Sequence, residues 1–245
     1  MKITNVYKKF ALFLLLGLII FFVGVLGFLL GQQNKNGNVF AVGGVVPHHL
    51  LAGELIDGFF EKLSSQKPKR IILVGPDHRT TPEVSADFTS GVSKRFARGW
   101  YSEEHSITNI LPFIEKYLPE AIISPIVLSN KMSLSEIENL ADQLSKAVNK
   151  DTVLIASVDF SHYLKKQEAE ENDKKTLEII KNFDYQSLIS LNSDYLDGPA
   201  STAVLLKVMQ KTGHNNFEIL DHTNSSELMD NGFSETTSYF VIRFY

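Results

Sequence analysis

Short apolar runs that stop at histidine constrain this chain more than any other feature. Val39-Phe40-Ala41-Val42 with Val45-Val46 ends at Pro47-His48-His49, and Arg70-Ile71-Ile72-Leu73-Val74 ends at Gly75-Pro76-Asp77-His78. Thr152-Val153-Leu154-Ile155-Ala156 runs into Ser157-Val158-Asp159-Phe160-Ser161-His162. Runs of this length without polar alternation read as buried strands. Between them the period changes to that of helices. Leu51, Leu55, Ile56, Phe59 and Phe60 share one side of a helix over 50–63, and Ile110, Leu111, Ile114 and Leu118 share one side of another. Ile122 to Leu128 is a further strand, with Pro125 arguing for an edge or a kink. Ser135-x-x-Glu138 reads as a capping box ahead of Ile137, Leu140, Leu144 and Val148. Helical patterns follow over 173–191 and 200–211, separated by the turn sequence Asp194 to Pro199, and Phe217–Leu220 and Tyr239–Tyr245 close the chain as strands. This order predicts a three-layer α/β/α domain with a central mixed sheet over residues 39–245.

Residues 10–31 carry no charge and are long enough to cross a hydrocarbon core of about 30 Å. Lys2, Lys8 and Lys9 precede them and Lys35 alone follows closely, so the positive-inside rule predicts a cytoplasmic segment 1–9, a transmembrane anchor 10–31, a tether 32–38 and an extracytoplasmic domain. The expected location is therefore the cell membrane, by a single pass. A cleaved signal peptide is the competing reading, disfavoured by the length of the apolar run and the absence of a clear small-x-small site.

With 24 Lys+Arg against 28 Asp+Glu, and no basic run beyond the N-terminus, nucleic acid is excluded as a partner class. The chain has no cysteine, so thiolate ligands and a Cys nucleophile are excluded too, and any metal must sit on His, Asp or Glu.

In open α/β sheets the ligand crevice lies beyond the carboxyl ends of the strands. His48, His49, His78, Asp159 and His162 stand at such ends, and they share one pocket if their strands are parallel neighbours. The competing reading is that each histidine satisfies a local loop hydrogen bond. Three separate strand ends carrying histidine, in a chain with seven, favour a shared site. Imidazole is both a common metal ligand and the usual acid–base group near neutral pH, so the cluster by itself leaves both roles open.

Val46-Pro47-His48, Gly75-Pro76-Asp77-His78, Glu104-His105-Ser106 with Leu111-Pro112, and Ser157-Val158-Asp159-Phe160-Ser161-His162-Tyr163 resemble, in order and spacing, the motifs of the Memo family, known in prokaryotes as AmmeMemoRadiSam system protein B. The resemblance runs from about residue 41 to the C-terminus. It implies a fold similar to class III extradiol dioxygenases, which hold non-haem iron with two His and a carboxylate. On that likeness His48 and His78 are the imidazole ligands of a divalent metal ion, Fe(II) before Mn, Zn or Cu. The family's third ligand is commonly a Cys followed by Gly. Counting back from Leu205-Leu206, this chain has Asp197-Gly198 there, a departure that replaces a soft thiolate with a hard oxygen; the plain alternative is that Asp197 is a turn residue before Gly-Pro. Asp159 and His162 match the family's Asp-x-Ser-His block, as an orienting carboxylate and a proton donor or acceptor, against simple capping of the next segment. Glu104 and His105 form a second acid–base or substrate-orienting pair, weighed against helix capping.

The resemblance implies a metal-dependent oxidoreductase acting on a small molecule. The alternatives are a non-catalytic module that binds a ligand or other proteins of the AmmeMemoRadiSam system, and zinc-assisted hydrolysis. Trp100, in the irregular stretch between two histidine-bearing blocks, is expected beside the pocket.

Overall fold

Every strand that ends in histidine lies in one sheet, and the three such strands are neighbours. The computed structural model describes residues 40–78, 104–229 and 235–245, and Phe40–Tyr245 forms one compact unit. The strands are β1 (Gly43–Val46), β2 (Arg70–Pro76), β3 (Ile122–Leu128), β4 (Thr152–Ser157), β5 (Phe217–Asn224) and β6 (Ser238–Phe244). They form a six-stranded sheet in the order β3-β2-β4-β1-β6-β5. The first four are mutually parallel, whereas β6 pairs antiparallel with both β1 and β5. Pro125 does sit on an edge strand, where a missing N–H is tolerated.

The helices are α1 (Gly53–Ser64), α2 (His105–Thr108), α3 (Leu111–Tyr117), α4 (Leu134–Leu144), α5 (Lys166–Lys181), α6 (Tyr185–Leu188), α7 (Pro199–Thr212) and α8 (Ser225–Met229). The period of two along each strand divides them between two faces. Ile71, Leu73, Val153 and Ile155 pack with Ile56, Phe59 and Phe60 of α1, Ile107 of α2 and Ile114 of α3. Ile72, Val74, Leu154 and Ala156 face the other way, into Ile137, Leu140 and Leu144 of α4 and Val204, Leu205 and Val208 of α7. Strands buried on both sides must be apolar throughout, which is why the parallel runs show no alternation.

The topology places a crevice at the carboxyl ends. From β1 the chain crosses through α1, on one face, to β2; it returns from β3 through α4, on the opposite face, into the position between β2 and β1 that β4 fills. Neighbouring strands whose connections depart to opposite faces leave a cleft beyond their carboxyl ends.

Local boundaries differ from the sequence reading at several places. The capping box is Ser133 with Glu136, two residues early: Ser133 Oγ accepts from the Glu136 N–H (3.3 Å) and the Glu136 carboxylate accepts from the Ser133 N–H (2.7 Å). Glu138 instead pairs with Lys207 of α7 (2.6 Å). The pattern over 173–191 is two helices, α5 starting at Lys166 and α6, parted by Phe183 in the left-handed region (φ 52°). Strand β5 extends to Asn224.

The expected membrane helix is corrected. Among the described residues no helix is long and apolar enough to cross a membrane; the longest, α5, has 16 residues, against a need for about 20 apolar ones. Residues 1–9, 10–31 and 32–38 lie outside the described residues. The fold is therefore a mixed α/β domain with a six-stranded sheet, and the single-pass, extracytoplasmic localisation is not carried further. Trp100 also lies outside the described residues.

Candidate metal centre at the strand carboxyl ends

The register sets the residues beyond β1, β2 and β4 side by side, with Val46 opposite Ser157 and Val74 opposite Ala156. His48 follows β1 and is only 2% exposed. Its backbone N–H donates to Asp159 Oδ1 (3.0 Å), its carbonyl accepts from Asn109 Nδ2 (2.9 Å), and its ring Nδ1 lies 3.3 Å from the Ser157 carbonyl. In the tautomer that donates from Nδ1 to Ser157, Nε2 is left facing two carboxylates, Asp197 Oδ2 at 3.1 Å and Asp159 Oδ2 at 3.6 Å.

His78, beyond β2, has a side chain 30% exposed. Glu104 clasps it twice, accepting from Nδ1 (2.7 Å) and from the backbone N–H (3.0 Å), and also accepts the Ser106 N–H (3.1 Å) at the start of α2. Close approach of α2 to β2 requires glycine at 75, where an added Cβ would stand 2.5 Å from Ser106 Oγ. His78 Nε2 then points to Asp197 Oδ2 at 3.5 Å.

Asp197 is the meeting point. Its backbone N–H donates to the Asp159 carbonyl (3.1 Å), its Oδ1 accepts the Asp159 N–H (3.0 Å), and its carbonyl accepts from Asn130 Nδ2 (2.5 Å). Gly198 lets the chain pass so close that any Cβ would collide with Val158. Oδ2 is buried and has no directed hydrogen bond, although the Nε2 atoms of His48, His78 and His162 lie at 3.1, 3.5 and 3.9 Å. His162 is turned by its own backbone, Nδ1 lying 2.5 Å from the Phe160 carbonyl. His105 lies at the solvent side, its ring 4.0 Å from that of His78 and 5.0 Å from that of His48.

Electrostatics follow from this packing. Burial would lower the His48 pKa, but the Asp159 and Asp197 carboxylates raise it to about 9. For His78, burial is again overcome, here by Asp197 and Glu104, and its pKa is also raised to about 9. Burial opposes ionisation of Glu104, yet His78 and the N–H groups of Ser106 and His78 hold it down at about 2. Burial likewise opposes ionisation of Asp197, which His48 and His78 keep well below the usual carboxylate range. Asp159 goes the other way, pushed up by burial and by Asp197 despite His48. His105 is lowered, by burial and then by the neighbouring His78 and His48.

Two groups among the described residues could hold a metal ion, His48 with His78 and His105, and His48 with Asp159 and Asp197; within each, the ligand atoms lie within 4.8 Å of one another. The structure thus brings together His48, His78, Glu104, His105, Asp159, His162 and Asp197. It leaves out His49, which is exposed and caps a 3-10 turn by accepting the Leu51 N–H at Nδ1 (3.3 Å), and His214, whose Nδ1 lies 2.9 Å from Thr212 Oγ1. Sequence reasoning missed Asn109, Asn130 and Tyr239. The asparagines act on backbone carbonyls and leave no periodic signal. Tyr239 is buried, its hydroxyl pushed up by burial and by Asp159; it comes from the start of an antiparallel strand, and only the order of the sheet shows that this start lies at the pocket end.

The class this fold and site define is a mixed α/β domain with a His/carboxylate cluster at three adjacent parallel strand ends. The profile of one family, described as Memo-like protein, matches residues 92–240. A MEMO1 family protein of Pyrobaculum aerophilum is 26% identical over 238 aligned residues, 84% of each chain, and one of Methanobrevibacter smithii is 28% identical over 233, 80% of each chain. A MEMO1 family protein of Methanopyrus kandleri is 22% identical over 244, 86% of each chain. The chain belongs to the Memo family.

Proposed function

We propose that this cluster is a divalent-metal centre held by His48, His78 and Asp197, and that it serves a metal-dependent oxidoreductase acting on a small molecule. The observation that carries the reading is the buried Asp197 Oδ2, without a directed hydrogen bond, faced by the Nε2 atoms of His48 and His78. Two imidazoles and one carboxylate suit Fe(II) first, with Mn or Zn next; without a thiolate the set gives little preference for Cu(I). A bound ion of this kind supplies Lewis acidity or a redox couple at its open positions.

The protein's own part follows from the contacts. Glu104 and the Ser157 carbonyl fix which nitrogen of His78 and of His48 is free, so both rings present Nε2 to the centre. Asp159 holds the backbone of His48, accepts the Asp197 N–H at its carbonyl and gives its own N–H to Asp197 Oδ1, tying the His48 and Asp197 segments into one frame. His162 keeps Nε2 towards the centre and is the group to carry a proton to or from bound substrate. His105, half in solvent, lines the mouth.

The test is metal analysis of the full chain, purified without chelator and without oxygen, followed by titration with Fe(II), Mn(II) and Zn(II). One ion per chain, with Fe(II) at least as tight as Zn(II), is expected. No binding of any of the three would reduce the cluster to an ion-paired ligand-binding pocket.

A further inference from the structure

One buried carboxylate near the centre has no part in it. Asp173 of α5 is 3% exposed, and its Oδ1 accepts from Ser161 Oγ at 2.7 Å and, more weakly, from the Ser161 N–H at 3.4 Å. That N–H belongs to the same peptide unit as the Phe160 carbonyl, which accepts from His162 Nδ1. The two ends of one planar group are thus tied to Asp173 and to the imidazole, so turning the plane turns the acceptor that selects the tautomer of His162. Asp173 Oδ2 is buried and has no hydrogen-bond partner. Its one ion-pairing nitrogen within 4 Å among the described residues is His222 Nε2, at 3.9 Å on edge strand β5. The His222 ring lies flat on Phe240 (4.0 Å, 23°), and Phe240 packs on Phe160 (4.4 Å). A buried carboxylate with one orphan oxygen is costly to keep.

We infer that Asp173 is the positioning residue for His162, acting through Ser161 and the Phe160–Ser161 peptide, with His222 as its counter-group at the sheet edge. The role rests on the reading of His162 as the proton-carrying group, but its geometry is independent of any metal.

The experiment is nitrogen NMR of the full chain labelled at histidine, recorded where the rings are neutral, with His162 assigned from its Gln variant. The parent should give widely split His162 ring signals, a protonated Nδ1 and a bare Nε2. Ser161→Ala and Asp173→Ala should collapse that splitting towards an average while His48 and His78 keep theirs. Asp173→Asn, which retains the acceptor, should restore the parent pattern, and His222→Gln should narrow the splitting in the parent but not in Asp173→Asn. Unchanged His162 signals in both Ser161→Ala and Asp173→Ala would overturn the assignment. Averaging that spreads to His48 and His78 in Ser161→Ala would overturn it too, since that marks general loosening. Metal titration of the same samples separates the two readings: a parent that binds no metal yet holds the His162 tautomer removes the metal centre and leaves the role of Asp173 standing.

Discussion

The parallel and antiparallel halves of this sheet carry different burdens. β2, β4 and β1 are covered on both faces, and each delivers a polar residue just past its carboxyl end, His48 and Asp159 buried and His78 open to solvent. On the far side of β1, β6 is buried, but β5 is an edge strand with Ile219 44% exposed and a register shift between Ile219 and Asp221. Parallel strands align their carboxyl ends by construction, so polar side chains far apart in sequence meet. The antiparallel edge lacks that property and adds support instead, Tyr239 from the start of β6 and His222 from β5.

The largest effect should separate the halves by stability. Leu154, central in β4 and fully buried between α4 and α7, is expected to cost about 2–5 kcal/mol when cut to alanine. Ile219→Ala on β5 should stay within about 0.5 kcal/mol. Chemical denaturation of both variants checks this, and equal losses would mean that the edge strand is as integral as the centre.

Within the parallel half, the ligands come next. Asp197→Ala should weaken metal binding by about 100-fold or more, as strongly as His78→Ala, because an open site with two remaining protein ligands holds its ion poorly. Asp197→Cys should keep binding and shift preference towards softer ions. If calorimetry finds Asp197→Ala equal to the parent while His48→Ala fails, Asp197 is a turn residue after all.

Protons compete for the same nitrogens. With His48 and His78 raised to about 9 in the chelator-treated protein, both are protonated at neutral pH, so binding one ion at pH 7 should release about two protons and tighten as pH rises. The sign for folding is opposite. A histidine whose folded pKa lies above its ordinary value of 6.5 contributes stability that is complete below about 6.5 and lost as pH rises through about 9. Thermal melts of chelated protein should therefore fall over that window, and saturating metal should remove the fall. Metal affinity independent of pH between 6.5 and 9 would break the assignment of His48 and His78 as ligands.

Much of this was legible in the residues. Apolar runs without alternation announced strands covered on both faces, and their histidine ends announced the crevice, because both signals are local. The neighbourhood of β2, β4 and β1 was not, since strand order depends on which faces α1 and α4 cover. Ser133-x-x-Glu136 and Ser135-x-x-Glu138 fit the same capping-box pattern, and only the helix start distinguishes them. Asp197 is legible only through a family pattern counted from Leu205-Leu206, because its reciprocal bonds with Asp159 are long-range and have no local trace.

The smallest effect tests whether position in the sequence or position in the fold makes a ligand. His48 and His49 are adjacent, both at the end of β1, and composition cannot tell them apart. The backbone does: it turns His48 inward between Ser157, Asp159 and Asp197, and leaves His49 outside, where its Nδ1 caps a three-residue turn and its ring lies parallel to Tyr239 at 5.9 Å. His49→Asn keeps a capping acceptor and should change metal affinity less than about twofold, with stability within about 0.5 kcal/mol of the parent. His48→Asn loses a ligand and should abolish tight binding. A drop for His49→Asn comparable to that for His48→Asn, measured in the same titration, would show that the exposed ring reaches the ion, and the set of three ligands would have to be redrawn around β1.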